Sequence, residues 1–377
     1  MRLLRYLPIV CAALCLPFSA MAAPSPLAVE NTFLSVAIDG KPYRLRAMVV
    51  KEAARVGRLP VALITHGQSA ETDKRQAVDP KNYTLIAREF ARRGWLSVVV
   101  VRRGFGEPEV GAPYNLASCS KGDYAATLRG QIDDMAAAME AVAKRGDADA
   151  RRVVGFGTSV GGAVILGLAA RAPEGLRAVV NMSGGVASRR RDGSSQPTSC
   201  RPEHLPPVFA AYGKTSRVPA LWLYAENDSV FPGDYVRELH TAYVGGGGIS
   251  DFHMFPPLKG DGHDLYGLTD GMQRWIPALD AFLRARDLPT YDPLPLDAAV
   301  RQILNPQAAA YYNNLYRTRP AEKAMALSTS GKNGFIAFGR GTPDQAAKDS
   351  LDGCLKQTKG EPCRLVLQNF EVVPATP

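Results

Sequence analysis

Apolar and polar residues trade places through "FLSVAIDGKPYRLRAMVV" on both sides of Asp39 and Gly40, which predicts a β-hairpin closed by a two-residue turn. Beyond it the pattern changes. "PVALITHG" is a short continuous apolar run, "YTLIAREFARRG" carries a helical period, and "WLSVVVVR" is apolar again. Strand–helix–strand units of this kind predict an α/β fold, a mostly parallel twisted sheet with helices on both faces. "DYAATLRGQIDDMAAAMEAVAKRG" reads as a long helix, "RRVVGFG" as a strand, "SVGGAVILGLAARAP" as a helix and "LRAVVNMSGG" as a strand. A loop-rich interval runs from about Val186 to Val218. "ALWLYAEND" then resumes the sheet, "GDYVRELHTAYVG" is helical, "SDFHMFP" is the expected last strand and "DGMQRWIPALDAFLRAR" the closing helix.

After Leu288 the composition shifts. "PTYDPLPL" reads as a linker, and "DAAVRQILNPQAAAYYNNLY" as a helix or helix pair packing back on the main body. In "KAMALSTSGKNGFIAFG" two strands are expected about a Gly-rich turn, followed by a helix opened by Thr342-Pro343-Asp344 and a final strand "CRLVLQNFEVV". The chain therefore divides into a leader (1–22), a large α/β domain (23–290), a helical linker (291–318) and a small α+β module (319–377).

The leader is recognisable by a basic start, "MRLLR", an apolar stretch too short and Pro-interrupted for a comfortable span, and Ala20-Met21-Ala22 as a small-x-small cleavage site. A secretory signal implies a periplasmic or secreted protein with no stable membrane insertion once it is removed. Cys11 and Cys15 leave with it. The remaining Cys119, Cys200, Cys354 and Cys363 are even in number in an oxidising setting, so disulfides are expected, and three connectivities are open. Cys354 with Cys363, close together in one small module that needs a staple, and Cys119 with Cys200 are the preferred pairs. No CxxC pair or nearby His supports a metal site.

The whole chain is 46% hydrophobic and 21% charged, with a net charge of +9. That is an ordinary globular composition, and the positive charges are dispersed. The one dense run, Arg189 to Arg191, lies in a Ser-, Gly- and Pro-rich stretch without aromatics, which argues for a solvated loop and against nucleic-acid binding.

Chemistry concentrates at "VVGFGTSVGGAVILG". A phosphate loop would need Lys after its last glycine, and a dinucleotide fingerprint would need glycine where Val160 stands; neither is present. Gly157-Thr158-Ser159-Val160-Gly161 is instead a GxSxG pattern, in which a serine sits on a sharp strand-to-helix turn that bulky neighbours would obstruct. The partners it requires follow in the expected order: Asp228 ends a strand in "AENDSVFP", and His263 lies in the Gly-bearing loop "GDGHD". Glu226 and His253 are the competitors, His253 within a strand pattern and so a packed residue; His240 is expected on a helix surface. Arg102 and Arg103 are expected at a strand end near the cleft, with a substrate-carboxylate role open.

On "THGQ", "RRGFGEP", "GFGTSVGG", "AENDSVFP" and "GDGHD", the chain from about Thr32 to Leu288 resembles the α/β-hydrolases, above all their dienelactone-hydrolase-like and prolyl-oligopeptidase-like branches. The resemblance implies a Ser-His-Asp triad of Ser159, His263 and Asp228, with the backbone N–H groups of Val160 and Gln68 as oxyanion donors. His66 and Gly67 would support the oxyanion loop, and Gly157 and Gly161 the serine turn. It implies no metal and no organic cofactor. An exported serine esterase is the expected function, acting on a small-molecule ester or peptide. A peptidase or amidase with the same triad, or a cell-envelope binding protein using the C-terminal module on its partner, is the alternative. Every candidate catalytic residue precedes Thr318, so the residues beyond it are expected to be dispensable for chemistry. The chain lacks the HGGG loop of lipases, and Thr158 stands where lipases commonly carry His.

Overall fold

The computed structural model describes residues 25–68, 72–106, 123–186 and 201–374. The leader, Arg189 to Arg191, Cys119 and Cys200 lie outside these residues.

Asp39 and Gly40 both take positive φ, 51° and 72°, as a two-residue turn between right-twisted strands requires. They join β1 (Leu27–Ile38) to β2 (Lys41–Glu52) in an antiparallel pair. The chain continues through β3 (Leu59–Thr65), a short helix α1 (Thr72–Gln76), α2 (Thr84–Arg92), β4 (Leu96–Val100), α3 (Tyr124–Ala143), β5 (Ala148–Thr158) and α4 (Val160–Ala170). It then forms β6 (Leu176–Met182), α5 (Leu205–Thr215), β7 (Ala220–Ala225), α6 (Gly233–Gly245), β8 (Ser250–Phe255) and α7 (Thr269–Arg284). Among the described residues eight strands make one sheet in the order β1-β2-β4-β3-β5-β6-β7-β8. β2 runs antiparallel to β4, and every pairing from β4 to β8 is parallel.

Both faces of the sheet are covered, which is why its inner strands read as unbroken apolar runs. Val61 and Leu63 of β3 point into a core shared with α3, α4, α5 and α6. Ala62 and Ile64 point the other way, into a core closed by α2 and α7. The interval expected to be loop-rich contains α5. Its opening Pro206 and Pro207 disguise it in the sequence, yet proline is well suited to a first helical turn, where the missing N–H would have no partner.

After Leu288 the expected linker is shorter than the sequence suggests, because α8 (Pro293–Ile303) begins inside "PLPL". α9 (Pro306–Tyr311) follows and runs into a π-helical turn ending at Tyr316. β9 (Ala324–Ser328), β10 (Gly334–Ala337), α10 (Pro343–Gln357), β11 (Cys363–Gln368) and β12 (Glu371–Val372) complete the chain, the strands forming a second, antiparallel sheet in the order β10-β9-β11-β12. Two expectations are corrected here. The final strand is a hairpin, folded back at Asn369, whose φ is +50°. The helices α8 and α9 find their apolar partners in this small sheet: Leu296, Val300, Ala308, Tyr312 and Tyr316 share a core with Met325, Leu327, Val366 and Leu367.

Thr342 caps α10, its hydroxyl accepting the Gln345 N–H at 3.1 Å. A disulfide joins Cys354 of α10 to Cys363 of β11. The C-terminal unit meets the main body along α2. There Glu89 accepts the Ala321 N–H, Arg88 donates to the Arg340 carbonyl at 2.8 Å, and Arg92 pairs with Glu322.

Candidate active site

β5 lies inside the sheet, and the chain leaves its end through Ser159 with φ 52° and ψ −126° before α4 begins at Val160. A non-glycine residue in that region is strained, and the surroundings must hold it there. They do so by close approach. A Cβ at Gly157 would come within 2.0 Å of the Gly161 carbonyl oxygen, and one at Gly161 within 2.4 Å of the His66 carbonyl oxygen. Only hydrogen fits at either position, which is the physical content of the GxSxG pattern.

Asp228 follows β7 and His263 follows β8. His263 Nε2 lies 3.1 Å from Ser159 Oγ, and its Nδ1 lies 3.1 Å from each carboxylate oxygen of Asp228. With Nδ1–H donated to the carboxylate, Nε2 is left to accept from the serine hydroxyl. Asp228 is buried, and Oδ1 also accepts the N–H groups of Val230 and Phe231, both at 2.8 Å. The Phe231 ring packs against the imidazole with centroids 5.5 Å apart. Burial disfavours the imidazolium, but the hydrogen bond and charge of Asp228, helped by Asp261 and Asp264, outweigh it and raise the His263 pKa above its ordinary value.

Val160 is the first residue of α4, so its N–H has no acceptor within the helix and stands beside the serine. The loop bearing Gln68 passes close by: a Cβ at Gly67 would lie 3.0 Å from Ser159 Cβ. His66 braces that loop. Its Nε2 accepts the Arg102 N–H at 3.0 Å, so Nδ1 carries the proton and donates to the Gly67 carbonyl at 2.6 Å. Burial and the Arg102 charge hold its pKa well below the usual imidazole value, which keeps the ring neutral.

Arg102 and Arg103 are buried bracing groups. Arg102 donates to Thr65 Oγ1, the His66 carbonyl and Gln131 Oε1, and Arg103 pairs with Asp134. They stand at the end of β4 as expected, but their guanidinium groups bond inside the protein. Glu226 is occupied by Arg237. His253 stacks on Phe255. His240, expected on the surface, is half-buried, bonded to Ser250 Oγ at 2.6 Å and stacked on Phe252.

Among the described residues no group of three or more His, Cys, Asp or Glu side chains could hold a metal ion, and no helix is long and apolar enough to cross a membrane.

Residues 39–208 match the model of the S15 family, X-Pro dipeptidyl-peptidase, over less than half of the chain. No curated protein matches the sequence significantly. Among solved structures, an acetyl xylan esterase from a Paenibacillus species is similar at a TM-score of 0.51 and 16% identity, covering 73% of this chain and 87% of that one. The chain is an α/β-hydrolase by fold. A dienelactone hydrolase-like promiscuous phosphotriesterase from metagenomic libraries scores 0.44 at 15% identity, over 62% and 82% of the two chains. An acylaminoacyl peptidase of Pyrococcus horikoshii scores 0.48 at 17% identity over 71% of this chain, which spans 43% of that protein.

In this fold the acid-bearing and histidine-bearing loops are stitched together by residues that sequence reasoning missed. Asp261 Oδ1 accepts the N–H groups of Ser229 at 3.0 Å and His263 at 2.9 Å, while Oδ2 accepts the Ser229 hydroxyl. Asn227 donates to the carbonyls of Leu258 and Gly260 and accepts the Leu258 N–H at 2.9 Å. Asp261 stands two residues before His263 in the Gly-bearing loop and accepts its N–H, a local bond that Asp side chains commonly make; that is the signal that could have found it, whereas the Asn227 bonds reach 31 to 33 positions along the chain and leave none.

Proposed function

We propose that the protein is an exported serine hydrolase that cleaves carboxylic esters through an acyl-enzyme. The reading rests on one observation: Ser159 Oγ, His263 and the Asp228 carboxylate stand in a continuous 3.1 Å relay. Ser159 Oγ attacks the ester carbonyl as His263 Nε2 takes its proton, and Asp228 stabilises the imidazolium from the other side. The oxyanion is held by the N–H groups of Val160 and Gln68, a kind of donor whose loss costs about 3–4 kcal/mol. His263 returns the proton to the departing alkoxide, leaving Ser159 acylated. Water, deprotonated by the same nitrogen, then attacks the acyl carbon, and the acid leaves with the serine restored. No metal or organic cofactor enters any step.

Esters are favoured over amides because an alkoxide leaves the tetrahedral intermediate with less proton assistance than an amine. Export is supported by the leader and by the Cys354–Cys363 disulfide. A peptidase or amidase is the second reading, favoured by the S15 family-model match.

A fluorophosphonate probe on the mature protein tests the first reading: wild type should label at Ser159 and Ser159→Ala should not. A folded wild type that stays unlabelled would favour a non-catalytic binding role. Side-by-side rates on short p-nitrophenyl esters and aminoacyl amides decide the bond cleaved, and preferential turnover of amides would reverse the choice.

A further inference from the structure

We propose that Tyr83 is a positioning residue for this reaction, its hydroxyl fixing the oxyanion loop against the serine turn. The inference rests on the reading of Ser159 as nucleophile and Gln68 N–H as oxyanion donor, and it gives a task to a residue that neither the motifs nor the relay includes.

Tyr83 ends a short 3-10 turn, Pro80–Tyr83, that Asp79 caps by accepting the Lys81 N–H, and it immediately precedes α2. Its side chain is almost fully buried in the core beneath that helix. Three parts of the site meet on it. The Gly67 N–H donates to Tyr83 Oη at 3.0 Å, and the Thr158 hydroxyl, one residue before the nucleophile, donates to the same oxygen at 3.3 Å. The ring stacks on Tyr266 at 5.9 Å, three residues beyond His263.

The Gly67 contact matters because of what lies on either side of it. The Gly67 carbonyl is held by His66 Nδ1–H at 2.6 Å and approached by Arg102 Nη2 at 3.4 Å. In a planar trans peptide the next N–H points opposite to that carbonyl, so the direction of the Gln68 N–H is set by how Gly67 is held. His66 and Arg102 fix one end of the residue, and Tyr83 fixes the other. Without the phenol oxygen the half-buried Gly67 N–H would lose its acceptor, and the Arg102 bond to the His66 carbonyl would be left alone to hold that peptide, loosening it. An oxyanion donor must be aimed before the charge forms, so a loosened peptide lowers the rate of the chemical step more than it weakens substrate binding.

The test is Tyr83→Phe, which removes one oxygen and keeps the ring. In wild type, the Gly67 amide should be strongly protected from hydrogen exchange, and in the variant it should exchange at least tenfold faster. On an ester that wild type turns over, kcat should fall about tenfold to a hundredfold while KM stays within about threefold. Exchange of the wild-type Gly67 amide at the rate of an open loop overturns the proposal without any variant. So does a folded Tyr83→Phe protein whose kcat is within twofold of wild type. If wild type turns over neither esters nor amides, the hydrolase reading is what fails, and the exchange rates alone then decide whether Tyr83 holds the loop.

Discussion

Arg92 and Glu322, 230 positions apart in the chain, form an ion pair at 2.8 Å with both side chains almost completely withdrawn from water. The pair joins the helix that covers one face of the large sheet to the entry of the small one. Breaking a buried pair from one side leaves a charge without compensation. Glu322→Gln should cost about 3 kcal/mol, the low end for such a change, because Glu52 remains 3.3 Å from Arg92. Chemical denaturation of the purified variant checks it. Residues beyond Thr318 are expected to be dispensable for chemistry, but this contact ties them to stability: truncation there should leave Arg92 and Arg93 in an opened interface and yield an unstable protein.

The pH profile follows from the direction of the His263 shift. The working form of the general base is the neutral imidazole, and the folded-state pKa lies above the ordinary 6.5. Activity should therefore be low in acid and climb as pH rises through a value above 6.5, with a single limb, since His66 stays neutral throughout. A midpoint of kcat/KM below 6.5 would contradict the environment described for this ring.

Asp261→Ala removes both the stitch between the two loops and one of the charges that favour the imidazolium. Two effects are expected together: a loss of about tenfold in kcat/KM from misplacement of the ring, and a downward move of the acidic limb. A purely structural defect would lower the rate without moving the limb, so the two readouts separate the causes.

The Cys354–Cys363 bridge closes a loop with a sequence separation of 9. Loop-closure entropy for so short a loop corresponds to about 2–3 kcal/mol. The double variant Cys354→Ala, Cys363→Ala should unfold at lower temperature, most visibly in the C-terminal sheet, and wild type should show the same drop under reductant.

Much of the fold is legible in the sequence, and for definite reasons. The Asp39–Gly40 turn announces itself because only certain residues tolerate positive φ twice in succession, and the inner strands do so because both their faces are covered. α5 is hidden behind its prolines, and the partner of α8 and α9 is hidden because an amphipathic helix states that it needs an apolar surface but not which one. In the candidate site, Ser159, Asp228 and His263 can be named from their order and their places at strand ends. Tyr83 and Asn227 cannot be, because each bonds main-chain groups of a segment distant in sequence, and such bonds leave no residue pattern; of Asp261 only the local bond to the His263 N–H is foreseeable, and its hold on Ser229 is not. Arg102 and Arg103 mislead for a related reason: two arginines at a strand end suggest solvent or substrate, whereas here both guanidinium groups are consumed inside the protein.

The serine and the histidine hang from very different parts of the sheet. Among the described residues β5 has neighbours on both sides, whereas β8 is the outermost strand and is bonded on one side only. Outer strands open at lower free energy than inner ones. Gentle warming should therefore swing the imidazole out of alignment while the interior is still intact, so that heat inactivation runs several degrees ahead of the calorimetric melt and reverses on cooling.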